Sequence, residues 1–137
     1  MTKFIYESIA RALGDRPIAN FPDIVFRTAV DTAPLPAEYV ILNVSLSPLN
    51  DGVALNRTVR ANLNFSLRTS GESRSRVQNE DAFLELCLKV LSLTPAELSV
   101  NSSLPRFYGI RISSVDEVAT DGFDLVQSFT AVADVQL

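Results

Sequence analysis

The chain has 137 residues, 47% of them hydrophobic and 20% charged, with a formal net charge of −4, no histidine, no tryptophan and one cysteine, Cys87. That length and balance suit one folded domain, 1–137, with its own core rather than a disordered segment. They exclude a Ser-His-Asp or Cys-His nucleophile, a zinc site of Cys and His ligands and an intramolecular disulfide, and the acidic balance argues against a dedicated duplex-DNA binder.

In chain order, Phe4, Ile5, Ile9, Ala12 and Leu13 recur at helical spacing and predict an amphipathic helix over 3–13, with Thr2 as N-cap and Gly14 at its C-terminal end. Glu7, Ser8 and Arg11 interrupt this segment, so it does not read as a secretory leader, and no window approaches the ~18 apolar residues of a membrane span. Synthesis in the cytosol is the corresponding expectation. Asp15 to Pro22 read as a turn, 23–28 as a short strand, and 31–38, with Pro34 and Pro36, as a loop.

The clearest pattern follows. Val40, Leu42, Val44 and Leu46 alternate with Ile41, Asn43, Ser45 and Ser47 in 39–47. Val59, Ala61, Leu63, Phe65 and Leu67 alternate with Thr58, Arg60, Asn62, Asn64, Ser66 and Arg68 in 57–68. A period of two with one wet face predicts half-buried antiparallel strands. Pro48 to Asn56, which holds Asn50, Asp51 and Gly52, is a hairpin connection longer than the norm, and reads equally as a contact element or a plain loop tip.

After a polar loop at 69–76, a second helix is expected over about 77–92. Phe83, Leu84, Cys87, Leu88, Val90 and Leu91 form one broad apolar face, Glu80 and Asp81 lie in the first turn, Lys89 is near the end, and Pro95 stops the helix. A loop over 95–105 precedes a strand over 106–113 with Tyr108, Ile110 and Ile112 on one face; Asp121-Gly122 marks a turn into a long final strand, 123–137. The expected class is α+β: a mostly antiparallel sheet of four to five strands with two helices packed on one face.

The chemical inventory is thin. Cys87 sits on the apolar helix face and reads as a small hydrophobe. The acids Glu80 and Asp81 suit a helix N-terminus, while Asp116, Asp121 and Asp124 match no calcium-loop spacing, and there is no glycine-rich phosphate cradle. No catalytic residue, cofactor or metal ligand is assigned.

Charge distribution says more. Segment 57–76 carries Arg57, Arg60, Arg68, Arg74 and Arg76 against the single acid Glu72, a local charge of +4. Segment 112–137 carries Asp116, Glu117, Asp121, Asp124 and Asp134 with no base, a local charge of −5. Ten arginines against two lysines favour fixed planar contacts over diffuse solvation. Arg57, Arg60, Arg68, Arg74, Arg76, Asp116, Glu117, Asp121 and Asp124 are therefore candidate subunit or partner contacts. Pairing within one subunit and a heterologous contact between subunits both fit this pattern.

The layout resembles the tail terminator (tail completion) proteins of long-tailed bacteriophages. The resemblance is carried by the helix Phe4–Leu13, Phe21-Pro22-Asp23 leading into a strand, and the pair Val40–Leu46 and Val59–Leu67 with arginines and asparagines outward. Arg74-Ser75-Arg76 then leads into the helix Asp81–Leu91, and a closing strand follows Asp121-Gly122. It implies a virion protein of the tail–neck region, assembled in the host cytoplasm as a homo-oligomeric, hexameric ring. Such a ring caps the tail tube and docks the head–tail connector or stopper, with DNA met only as it passes through. It implies no enzyme activity, cofactor or membrane partner. Strand 123–137 and hairpin 39–68 would contact neighbours. Alternatives are another head–tail joining or capsid cement protein, a nucleic-acid-contacting module using 57–76, and a small enzyme or ligand carrier built on carboxylates.

Overall fold

Alternation over 58–70 buries one side of a strand and leaves the other partly wet. The computed structural model describes residues 2–14, 16–48, 58–72, 74–99 and 106–136. In it Ala61, Leu63, Phe65 and Leu67 are fully buried, while Arg60, Asn62, Asn64, Ser66 and Arg68 are half-buried on the opposite face. The elements are α1 (Thr2–Leu13), β1 (Val25–Thr28), β2 (Tyr39–Pro48), β3 (Thr58–Ser70), α2 (Arg76–Leu91), α3 (Pro95–Leu98), β4 (Arg106–Val115), β5 (Ala119–Asp121) and β6 (Asp124–Gln136).

The strands form one six-stranded sheet in the order β1-β2-β3-β6-β4, with β5 also on β6. Every pairing is antiparallel except β1 with β2. The α+β class is the expected one. The element count is higher because β5, with three residues, and α3, with four, are too short to show a period. Thr94 caps α3 and Pro95 opens it, so the first part of the expected 95–105 loop is helical. The long β2–β3 connection lies outside the described residues.

The helices cover the buried face. Tyr6 of α1 accepts a hydrogen bond from the Val44 amide at 2.8 Å, beyond the stretch of β2 that β1 pairs. Phe4, expected on the apolar side of α1, is exposed, whereas Ile5, Ile9 and Leu13 are buried. Phe83 of α2 meets the Phe129 ring edge-on at 5.7 Å between centroids, and Phe129 stacks on Phe65 at 5.1 Å. Gln127 donates to the Asn79 carbonyl oxygen at 3.1 Å and ties α2 to β6.

Two local corrections have clear causes. Ser75 accepts from the Gln78 amide and donates its own amide to the Gln78 side chain, a reciprocal cap that starts α2 at Arg76. Glu80 and Asp81 therefore lie past the first turn, and Glu80 instead pairs with Arg76 one turn earlier at 3.1 Å. In β4, the register shifts between Phe107 and Ile110, where Gly109 has φ +148°. That bulge puts Phe107 in the core, leaves Ile110 and Ile112 half-buried, and turns Tyr108 outward, away from the face on which it was expected.

A larger correction concerns α2. Its apolar residues do not share one face: Ala82, Leu86, Cys87 and Val90 are buried, whereas Val77, Leu84, Leu88 and Leu91 are between 46% and 64% exposed. The helix carries an inner and an outer apolar stripe.

The turn leaving β3 is closed by contact. A Cβ on Gly71 would lie 1.8 Å from the Phe123 carbonyl oxygen, a backbone atom of the β5–β6 turn. Gly71→Ala is expected to destabilise the fold by about 1–3 kcal/mol, the usual range for overpacking. Urea unfolding checks this; a change within about 0.5 kcal/mol would show that the turn yields freely.

Candidate assembly interface

The opposed charge segments come together through strand register. Because β3 and β6 run antiparallel side by side, Arg60 stands opposite Asp134, Asn64 opposite Thr130 and Ser66 opposite Ser128. Each pair is bonded: Arg60 Nε to Asp134 at 3.2 Å, Asn64 to Thr130 at 3.2 Å, and the two serine hydroxyls at 2.8 Å. Asn62 reaches diagonally to Ser47 of β2 at 3.1 Å. Arg68 donates to Asp124 at 3.0 Å and to Asp121 at 2.8 Å. Its pKa is raised above the usual guanidinium value by the hydrogen bonds to Asp121 and Asp124. Along β3 and β6 the outer face of the sheet is thus a polar ladder, and the β3 cations Arg60 and Arg68 are held by acids of the same chain.

Just beyond the end of β3 stands a tighter pair. Arg74 grips Glu38 with two bonds, at 2.8 and 3.0 Å, and the Ser70 amide donates to the same carboxylate at 2.9 Å. The side chains are only 15% and 13% exposed. Arg74 also lies over the Phe21 ring at 4.9 Å, a cation–π contact. Burial alone would raise the Glu38 pKa, but the hydrogen bonds from Arg74 and Ser70 and the Arg74 charge outweigh it and hold the carboxyl below its usual range. Neither Glu38 nor Asp134 stood out as a site residue in the sequence. The β2–β3 register sets Tyr39 opposite Arg68, and only that register carries Glu38 to the Arg74 loop.

The nine candidate residues therefore divide. Arg60, Arg68, Asp121 and Asp124 pair across β3 and the β5–β6 hairpin, Arg74 pairs with Glu38, and exposed Arg76 pairs with Glu80. Asp116 and Glu117 are exposed between β4 and β5 with no ion-pair partner among the described residues. Arg57 lies outside the described residues. Strand 123–137, expected to offer a neighbour-contacting edge, does not: β6 has β3 on one side and β4 and β5 on the other. The long described edge is instead β4. Burial pushes the Cys87 thiol pKa up, opposite to the shift a nucleophile needs.

The fold has a counterpart in a virion. A chain in the virion of a native gene transfer agent particle superposes with a TM-score of 0.63 at 16% identity, over 97% of this chain and 92% of that one. A second solved structure, of a protein without a functional name, gives a TM-score of 0.63 at 16% identity over 100% of this chain and 96% of its own. No protein-family model and no curated protein matches the chain. The likeness is one of fold.

Proposed function

We propose that the chain is a structural virion protein: a tail terminator that forms a ring, caps the tail tube and joins the tail to the head connector. The observation that carries this reading is the fold shared with the gene transfer agent virion chain over nearly the whole of both chains. The action is capping by shape. One side of the ring complements the last ring of the tube, while the other differs from it and refuses a further tube subunit. No catalytic group, cofactor or metal takes part, and DNA is met only in passage through the ring.

The polar ladder supports this over the nucleic-acid-contacting alternative. Arg60, Arg68, Arg74 and Arg76 are each engaged by a carboxylate of the same chain, so a phosphate would have to displace an existing partner. The alternative reading within the same class is another head–tail joining or capsid cement protein.

The test uses purified chain and tail tubes that lack their terminal ring. Negative-stain images are expected to show closed rings, hexameric on this reading, and density at one end of each tube, with tube growth arrested. A monomer that neither forms rings nor binds tubes overturns the proposal, and decoration of capsids in place of tubes moves the chain to the cement role.

A further inference from the structure

The outer stripe of α2 is an apolar feature with no covering element among the described residues. Val77, Leu84, Leu88 and Leu91 are spaced by seven, four and three residues, the seam of a helix that packs against something on both sides. A helix apolar on both faces is stable in water only at a cost, and exposed patches of this kind mark contact surfaces.

Charge says what covers it. Asp81 falls in the gap of the seam, exposed and with no ion-pair partner among the described residues. Glu85 beside it is held only by Asn20, at 3.0 Å from the side-chain amide. Glu80 already neutralises Arg76, so the row beside the stripe carries Asp81 and Glu85 against the single base Lys89. A second α2 would set this mixed row against a copy of itself, whereas a surface bearing only bases meets both acids without opposing them.

The edge strand β4 has the complementary character. Arg106–Val115 contains Arg106 and Arg111 and no acid. Both arginines are exposed without an ion-pair partner among the described residues, although the other strand arginines, Arg27, Arg60 and Arg68, all have one. The bulge at Gly109 turns Tyr108 outward between them, 48% exposed. Arginine and tyrosine on an exposed strand make a surface suited to an apolar, acid-rimmed partner.

We infer that the α2 stripe of one copy seats on β4 of the next, with Leu84 and Leu88 against Tyr108 and with Asp81 and Glu85 facing Arg106 and Arg111. Two different patches of the same chain make a head-to-tail contact, which closes into a ring when the rotation permits. The inference rests on the ring reading above and names the contact that builds the ring.

Mixing two single-cysteine variants tests it, with and without tail tubes. Leu84→Cys and Tyr108→Cys, each alone, are expected to give no disulfide-linked dimer under mild oxidation, and the mixture is expected to give a Leu84Cys–Tyr108Cys dimer. Wild type controls for Cys87, which is buried. Separately, Asp81→Arg and Arg111→Asp are each expected to raise the concentration needed for assembly roughly tenfold, with recovery in the double variant. Unchanged far-ultraviolet circular dichroism and unfolding midpoint show that each variant folds. Rings that form normally without the mixed crosslink overturn this contact and leave the ring reading standing. A dimer of Leu84→Cys with itself also overturns it, in favour of helix-to-helix pairing. A wild-type chain that neither self-associates nor binds tubes overturns both.

Discussion

Phe129→Ala is expected to lower folding stability by about 3–5 kcal/mol, among the largest single-residue effects in this fold. Phe129 is fully buried on the central strand β6, stacked on Phe65 of β3 at 15° between ring planes and met edge-on by Phe83 of α2. It is the point where the two middle strands and the covering helix share one contact. Truncation removes the transfer energy of the ring and leaves a cavity that two other rings cannot close without leaving their rotamers. Phe129→Leu keeps most of the volume and should cost about 1–1.5 kcal/mol. Urea unfolding of the three proteins, compared at equal slope, measures both losses. A loss for alanine near that for leucine would show that α2 sinks onto the sheet and that the core is softer than its burial implies.

Glu38→Gln is expected to cost about 2 kcal/mol at neutral pH, and the loss is expected to shrink in acid. The carboxylate holds Arg74 with two bonds and the Ser70 amide with one, so it joins the loop before β2 to the loop before α2. Removing its charge leaves a largely buried guanidinium short of a counter-ion. The pH dependence follows from the direction of the shift. The folded-state pKa of Glu38 lies below its ordinary value of 4.5. Its contribution is therefore fully present above that value and is lost as pH falls through the lower, folded one. The gap between wild type and Glu38→Gln should be level near neutrality and close progressively below about pH 4.5. Carboxylates common to both proteins cancel in the difference. A gap of constant size from pH 7 to pH 3 would mean that the loss does not come from the charge of the carboxylate.

Much of the fold was legible from local pattern. The alternation of Val40 to Leu46 and Val59 to Leu67 marked β2 and β3 and their buried faces, because side-chain direction in a strand repeats every two residues whatever lies beside it. Asp121-Gly122 marked the turn into β6 for a similar local reason: Gly122 adopts φ +64°. The helix α2 was legible as a helix, yet its two stripes merged into one broad apolar face. Leu84 and Leu88 sit near Phe83 and Cys87 along the chain, and hydropathy alone does not say which of them meets the sheet. Tyr108 was misplaced because a bulge adds one residue between Phe107 and Ile110, so the alternation before it runs out of step with the one that Ile110 and Ile112 follow.

The candidate interface divides along the same line. Composition and local periodicity were enough for the period-two strands, the α+β class, the lack of any histidine for chemistry, and the gathering of basic residues in 57–76 and acidic residues in 112–137. The packing of the sheet sets β6 beside β3, so that Arg60 and Arg68 meet Asp134, Asp124 and Asp121 inside one chain. It also leaves the edge-strand arginines Arg106 and Arg111 without an ion-pair partner among the described residues, and one face of α2 uncovered. Local periodicity reports how a strand or helix is oriented toward a buried layer. Which strand becomes its neighbour, and in what register, is set by the packing of the whole sheet, and that packing brings together residues more than fifty positions apart.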